Sequence, residues 1–128
     1  GAEGWQMSNE TVLSMAALKA SLEIFEEVGM TALIEKSRIL TGYLEFLIEE
    51  LRSDRIHIIT PKQADARGAQ LSIRVINSDK SLFRAISHKG VIADWREPDV
   101  IRIAPAPLYN NFSDVFRFVQ ILREELGI

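Results

Sequence analysis

The sequence predicts an α+β fold: two N-terminal helices, the second long, then a mainly antiparallel sheet covered by helices on one face. Three observations carry this. Apolar residues recur every three or four positions from about residue 11 to residue 51. After Asp54 the period drops to two. Two later segments return to helical spacing, each preceded by a serine able to cap it. With 128 residues, 47% of them hydrophobic and 26% charged, the chain can build one ordinary core and hardly more.

Residues 1–10 show no periodicity and read as an extended arm. Over residues 11–28, Leu13, Ala17, Leu18, Leu22, Phe25 and Val28 form one stripe, opposed by Lys19, Glu23 and Glu26, and Gly29 is the expected stop. A second helix is expected over 30–51, with Leu33, Leu40, Leu44, Leu47, Ile48 and Leu51 on one side. At a rise of ~1.5 Å per residue it spans about 33 Å, long for so small a domain. Residues 56–60 form a strand ended by Pro61, and 63–68 a polar loop. Residues 69–76 alternate, with Leu71, Ile73 and Val75 on one face and Gln70, Ser72 and Arg74 on the other. Ser78 is the expected cap of a helix over 79–89. Two strands, 91–96 and 100–104, flank a turn at Glu97-Pro98-Asp99, and Ser113 is the expected cap of the last helix.

Several functions are excluded by composition. The absence of cysteine rules out disulfides, thiolate nucleophiles and cysteine-based zinc sites. The net charge is −3, with −5 over residues 1–52 and +2 over 53–128, so neither part is basic enough to track a nucleic-acid backbone. No apolar run approaches the ~18–20 residues of a membrane span. His57 and His88 have no second ligand at metal-binding spacing, so no metal is expected. No glycine-rich phosphate loop or Gly-x-Ser-x-Gly elbow is present. Gly1 stands where an initiator methionine would, and the sequence is expected to begin inside a longer protein or to carry a cloning scar.

Two places invite chemistry. Arg102 stands in the strand sequence Val-Ile-Arg-Ile-Ala, where a guanidinium buried without an anion is costly. The residues expected on its face, Val100 and Ala104, are apolar, and a forked donor there suits bidentate capture of a carboxylate. The second place is Trp5-Gln6-Met7-Ser8-Asn9, an aromatic and three hydrogen-bonding groups in the arm. They read either as contact residues or as an anchor of the arm on its own domain.

At these places and between them the chain resembles the C-terminal part of the kynureninase family. The resemblance runs through Gly4-Trp5-Gln6-Met7-Ser8-Asn9, Leu40-Thr41-Gly42-Tyr43-Leu44-Glu45-Phe46-Leu47, Ile59-Thr60-Pro61 and Arg67-Gly68-Ala69-Gln70-Leu71-Ser72. Its most specific stretch runs from Gly90 through Asp94-Trp95-Arg96-Glu97-Pro98-Asp99-Val100-Ile101-Arg102-Ile103-Ala104-Pro105 to Phe112.

The resemblance implies the small C-terminal domain of a fold-type I pyridoxal-phosphate enzyme of the aspartate-aminotransferase-like fold. It divides the chain into an arm of the large domain (1–10), interdomain helices (11–52) and the small domain (53–128). The implied parent is a cytoplasmic homodimer of tryptophan catabolism and NAD biosynthesis. It hydrolyses L-kynurenine or 3-hydroxykynurenine to anthranilate or 3-hydroxyanthranilate and L-alanine. By resemblance, Arg102 grips the substrate α-carboxylate, Ser8 and Asn9 meet the substrate's aromatic ring, and Trp5 and Asn9 border the cofactor. None of Lys19, Lys36, Lys62, Lys80 and Lys89 stands in the family's Schiff-base context, so the chain alone is expected to hold no pyridoxal phosphate and to be inactive. One departure is that Glu10-Thr11 replace the two prolines that follow Ser-Asn in the family. Apart from the resemblance, the residues also fit a free-standing regulatory domain that binds a small acid through Arg102, or a dimerisation module.

Overall fold

Gly29 decides where the first helix ends. In the computed structural model, which describes residues 1–9 and 11–128, it sits at φ 81°, a conformation that glycine adopts without strain. Its N–H donates to the Phe25 carbonyl at 2.9 Å and closes α1 (Val12–Val28). The second helix, α2 (Met30–Glu50), starts at the next residue. The two differ in what they bury. No residue of α1 is buried, whereas α2 buries Leu33, Leu40, Thr41, Leu44 and Ile48. Two compact units result, Gly1–Ala32 and Leu33–Ile128, with the boundary inside α2. Within the first, Ala2–Trp5 forms a 3-10 turn where extended chain was expected, because Gly4 and Gln6 donate to the carbonyls of Gly1 and Glu3.

The remaining elements are β1 (Ile56–Ile58), β2 (Leu71–Val75), α3 (Lys80–His88), β3 (Asp94–Arg96), β4 (Val100–Ile103) and α4 (Phe112–Leu126). The expected α+β order is thus present, and the sheet, β1-β2-β4-β3, is antiparallel at every pairing. Two cross-strand rows explain its layering. Ile58, Ile73, Ile101 and Trp95 lie opposite one another in one row, with Val75 and Leu71 on the same face. These join Leu40, Leu44 and Ile48 of α2, Leu82 and Ile86 of α3, and Val115, Phe118, Val119, Ile121, Leu122 and Leu126 of α4 in one core. Helices α2, α3 and α4 therefore share one face of the sheet. The other face carries His57, Arg74, Val100 and Arg96 in one row and Ser72, Arg102 and Asp94 in the next.

Several boundaries move for reasons the hydrogen bonds supply. Regular pairing of β1 stops at Ile58, yet Ile59 still donates to the Ser72 carbonyl and the Thr60 hydroxyl accepts from the Ser72 N–H, both at 2.8 Å. A side chain takes over where the ladder ends. The strand expected over 91–96 begins only at Asp94, because Val91 donates back to the Ile86 carbonyl and finishes the turn after α3.

Both expected serine caps are corrected. The Ser78 hydroxyl is committed to the Val75 carbonyl at 2.7 Å, so Asp79 caps α3 by accepting from Ser81 N–H. Hydrogen bonding from Ser81, its side chain first and its backbone N–H second, holds the Asp79 carboxyl below its ordinary value. Asn111, not Ser113, caps α4, in a reciprocal pair with Asp114: each side chain accepts from the other's backbone N–H, at 3.0 and 2.9 Å.

Candidate functional site

The open face of the sheet carries the charges. Arg102 lies at the centre of β4, opposite Ser72 of β2 and Asp94 of β3. Its Nη2 donates to Asp94 Oδ2, and Arg96 Nη2 lies 3.1 Å from the same oxygen. Its Nε is buried and has no hydrogen-bond partner. The side chain as a whole keeps 33% of its exposure, so the guanidinium is half-buried rather than sealed. The Asp94 carboxyl is held below its ordinary 3.8, first by the Arg102 hydrogen bond and then by the charges of Arg102 and Arg96. Its contribution is complete above the ordinary carboxylate range and is lost as pH falls through the lowered value.

This corrects the expected surroundings of Arg102. Val100 and Ala104 alone predict an apolar face, but the neighbouring strands bring Ser72, Arg74, Asp94 and Arg96 to it. One further pair lies at the edge of this face: Arg74 Nε donates to Asp99 Oδ2 at 2.8 Å, with Asp99 almost buried in the turn between β3 and β4.

The other expected contact residues lie in the first compact unit. Trp5 ends the 3-10 turn and is 87% exposed; Ser8 and Asn9 are exposed as well. Gln6 Nε2 donates to the Ser8 carbonyl at 2.9 Å and holds the short bend between them. Glu10, where the family carries the first of its two prolines, lies outside the described residues.

Two features were not legible as functional residues. Asp94 is one: its partner in β4 follows from centring the hairpin on the three-residue turn 97–99, which sets Asp94 opposite Arg102. The other is a nearly buried ion pair, Arg67 to Glu45 at 2.6 Å, with side-chain exposures of 7% and 14%. It ties the loop before β2 to α2, and no short-range pattern links residues so far apart. A cleft of about 510 Å³ lies on the helix-covered side, between Leu44, Ile103, Phe118 and Ile121, and does not include Arg102. Among the described residues no cluster of histidine and carboxylate groups could hold a metal ion, and no helix is long and apolar enough to cross a membrane.

Comparison with known proteins gives this arrangement its context. Residues 33–122 match the family model of the kynureninase C-terminal domain. A kynureninase of Koribacter versatilis is 53% identical over 120 residues, covering 94% of this chain and 28% of that protein. One from Myxococcus xanthus is 52% identical over 95% of this chain and 29% of its own length. The chain therefore spans about three-tenths of the curated relatives it matches. Among solved structures, a NifS-like protein superposes with a TM-score of 0.77 at 22% identity, over 94% of this chain and 35% of that one. An acetylornithine aminotransferase from Elizabethkingia anophelis gives 0.68 at 20% identity, over 96% and 31%. These structures carry the fold: the α+β architecture of this chain is shared with part of an aminotransferase and of a NifS-like protein. The sequence matches carry the family: the chain belongs to the kynureninase C-terminal domain family.

Proposed function

We propose that this chain serves a kynureninase, an enzyme that hydrolyses the Cβ–Cγ bond of L-kynurenine or 3-hydroxykynurenine to L-alanine and anthranilate or its 3-hydroxy form. Its part in that reaction is to grip the substrate α-carboxylate through Arg102. The supporting observation is the guanidinium itself: Nη2 is engaged by Asp94, while Nη1 makes no hydrogen bond among the described residues. A carboxylate meeting such a planar donor is fixed in orientation as well as position, which sets the scissile bond against the reacting centre.

The residues present do not fit the attachment of pyridoxal phosphate. Lys89 is paired with Glu124 and Glu125, Lys62 with Glu49 and Lys19 with Glu23; the Lys36 ammonium donates to the Pro107 carbonyl, and Lys80 is exposed. None is a buried, unpaired amine of the kind that forms a Schiff base. Pyridoxal phosphate, which supplies the electron sink of the reaction, is therefore assigned to parts of the enzyme other than this chain.

Residues 1–10 are assigned to an arm of the large domain, 11–52 to interdomain helices and 53–128 to the small domain. The exposed apolar stripe of α1 supports this, since a solvated helix gains nothing from it. Ser8 and Asn9 are assigned to the substrate ring, and Trp5 and Asn9 to the border of the cofactor. The homodimeric, cytoplasmic state rests on the family alone.

The test is kcat/KM of the full-length enzyme with Arg102→Lys and Arg102→Ala. Lysine keeps the charge and loses the planar donor that Asp94 holds, so both variants should fall by roughly 10²–10³-fold or more. Near-wild-type turnover in both would end the carboxylate role. A collapse in Tm with turnover unchanged per folded molecule would make Arg102 a structural partner of Asp94.

A further inference from the structure

Arg102 does not stand alone on its sheet face. Asp94 faces it directly across the β3–β4 pairing and accepts from its Nη2. The same Asp94 oxygen also faces the Arg96 guanidinium, so it cannot follow Arg102 to another rotamer without giving up a second partner. Two guanidinium groups on one carboxylate leave the cluster with a net charge of +1. A lone Arg–Asp pair would be neutral and would attract an incoming anion only weakly; the third member preserves the attraction. With Nη2 held and Nε buried, the nitrogen left to meet a ligand is Nη1.

We propose that Asp94 is the positioning residue of the carboxylate clamp, fixing the Arg102 guanidinium by Nη2 so that its Nη1 side meets the substrate carboxylate, with Arg96 keeping the cluster cationic. This rests on the reading of Arg102 given above. An arginine side chain has many rotamers, and one tethered at a terminal nitrogen has already lost most of them before the ligand arrives. Asp94 itself touches no substrate in this arrangement. Its effect should appear only with ligands that carry a carboxylate.

The experiment uses the full-length enzyme with Asp94→Asn and Asp94→Glu, and two ligands: the amino-acid substrate and its decarboxylated amine, the latter as a competitive inhibitor. Asp94→Asn is expected to raise KM for the substrate roughly tenfold with kcat changed much less, and to leave the inhibition constant of the amine unchanged. Asp94→Glu should recover part of the loss. An unchanged KM, a lowered KM, or an equal loss for both ligands would overturn the proposal; the last is what a purely structural ion pair would produce. If Asp94→Asn does not accumulate folded, Asp94→Glu carries the same test, since a one-methylene displacement should still weaken only the carboxylate-bearing ligand. Arg102→Lys, measured in parallel, separates the two readings. Normal binding there defeats the carboxylate clamp itself, whereas a loss there beside an unaffected Asp94→Asn defeats only the positioning role.

Discussion

Helices α1 and α4 are both written with apolar residues at three/four spacing, and they end in opposite conditions. In α4, Val115, Phe118, Val119, Ile121, Leu122 and Leu126 are buried and the first turn is closed by the Asn111–Asp114 pair. In α1, the matching positions Leu13, Leu18 and Leu22 are half or more exposed, and Thr11 makes no side-chain cap. Periodicity reports that a helix has a face to cover. It does not report what covers it, and among the described residues none of α1 is buried.

The comparison makes a graded set of expectations. The largest concerns Leu122, fully buried in the core of α4. Leu122→Ala should cost ~2–5 kcal/mol, depending on how far the cavity collapses. Denaturant unfolding followed by the fluorescence of Trp95 reads this directly, because Trp95 lies in the same core while Trp5 is 87% exposed. A loss below ~1 kcal/mol would mean that α4 is not the anchor its burial indicates. The next concerns the cap. Asn111→Ala removes the acceptor for Asp114 N–H and should cost ~1 kcal/mol. Ser113→Ala, one position into the first turn, should change almost nothing, and equal losses in the two would reverse the cap assignment.

The smallest effect is expected in α1. Leu18→Gln with Leu22→Gln should leave the Trp95 transition within ~0.5 kcal/mol of the parent chain. If the bare stripe drives the isolated chain to self-associate, the same double substitution should return its sedimentation to that of a monomer. A large destabilisation would show that the stripe is already covered, and would erase the contrast with α4.

How far the fold was legible follows from the same physics. The four helices, four strands and their order are carried by local periodicity, which needs no knowledge of partners. The caps were missed by one or two residues because Ser78, Asp79, Asn111 and Ser113 all offer oxygen acceptors. The choice between them depends on which oxygen is already spent, as that of Ser78 is on Val75. Arg102 was legible as a candidate, but its environment was not. A strand's own alternation lists only Val100 and Ala104, whereas the character of a sheet face is set by the strands beside it, here through Ser72 and Asp94. Asp94 went unseen for that reason.

The two outer strands of the sheet, β1 and β3, are three residues long. An edge of that length offers an incoming strand few free backbone groups, and β3 adds Asp94 and Arg96 on its outward face. Strand-on-strand growth into fibrils is therefore guarded against at both margins, even with Ile58, Ile73 and Ile101 aligned across three adjacent strands. If the separated chain clumps, the contacts should be helical and reversible by dilution rather than cross-β, and a dye specific for amyloid should stay dark.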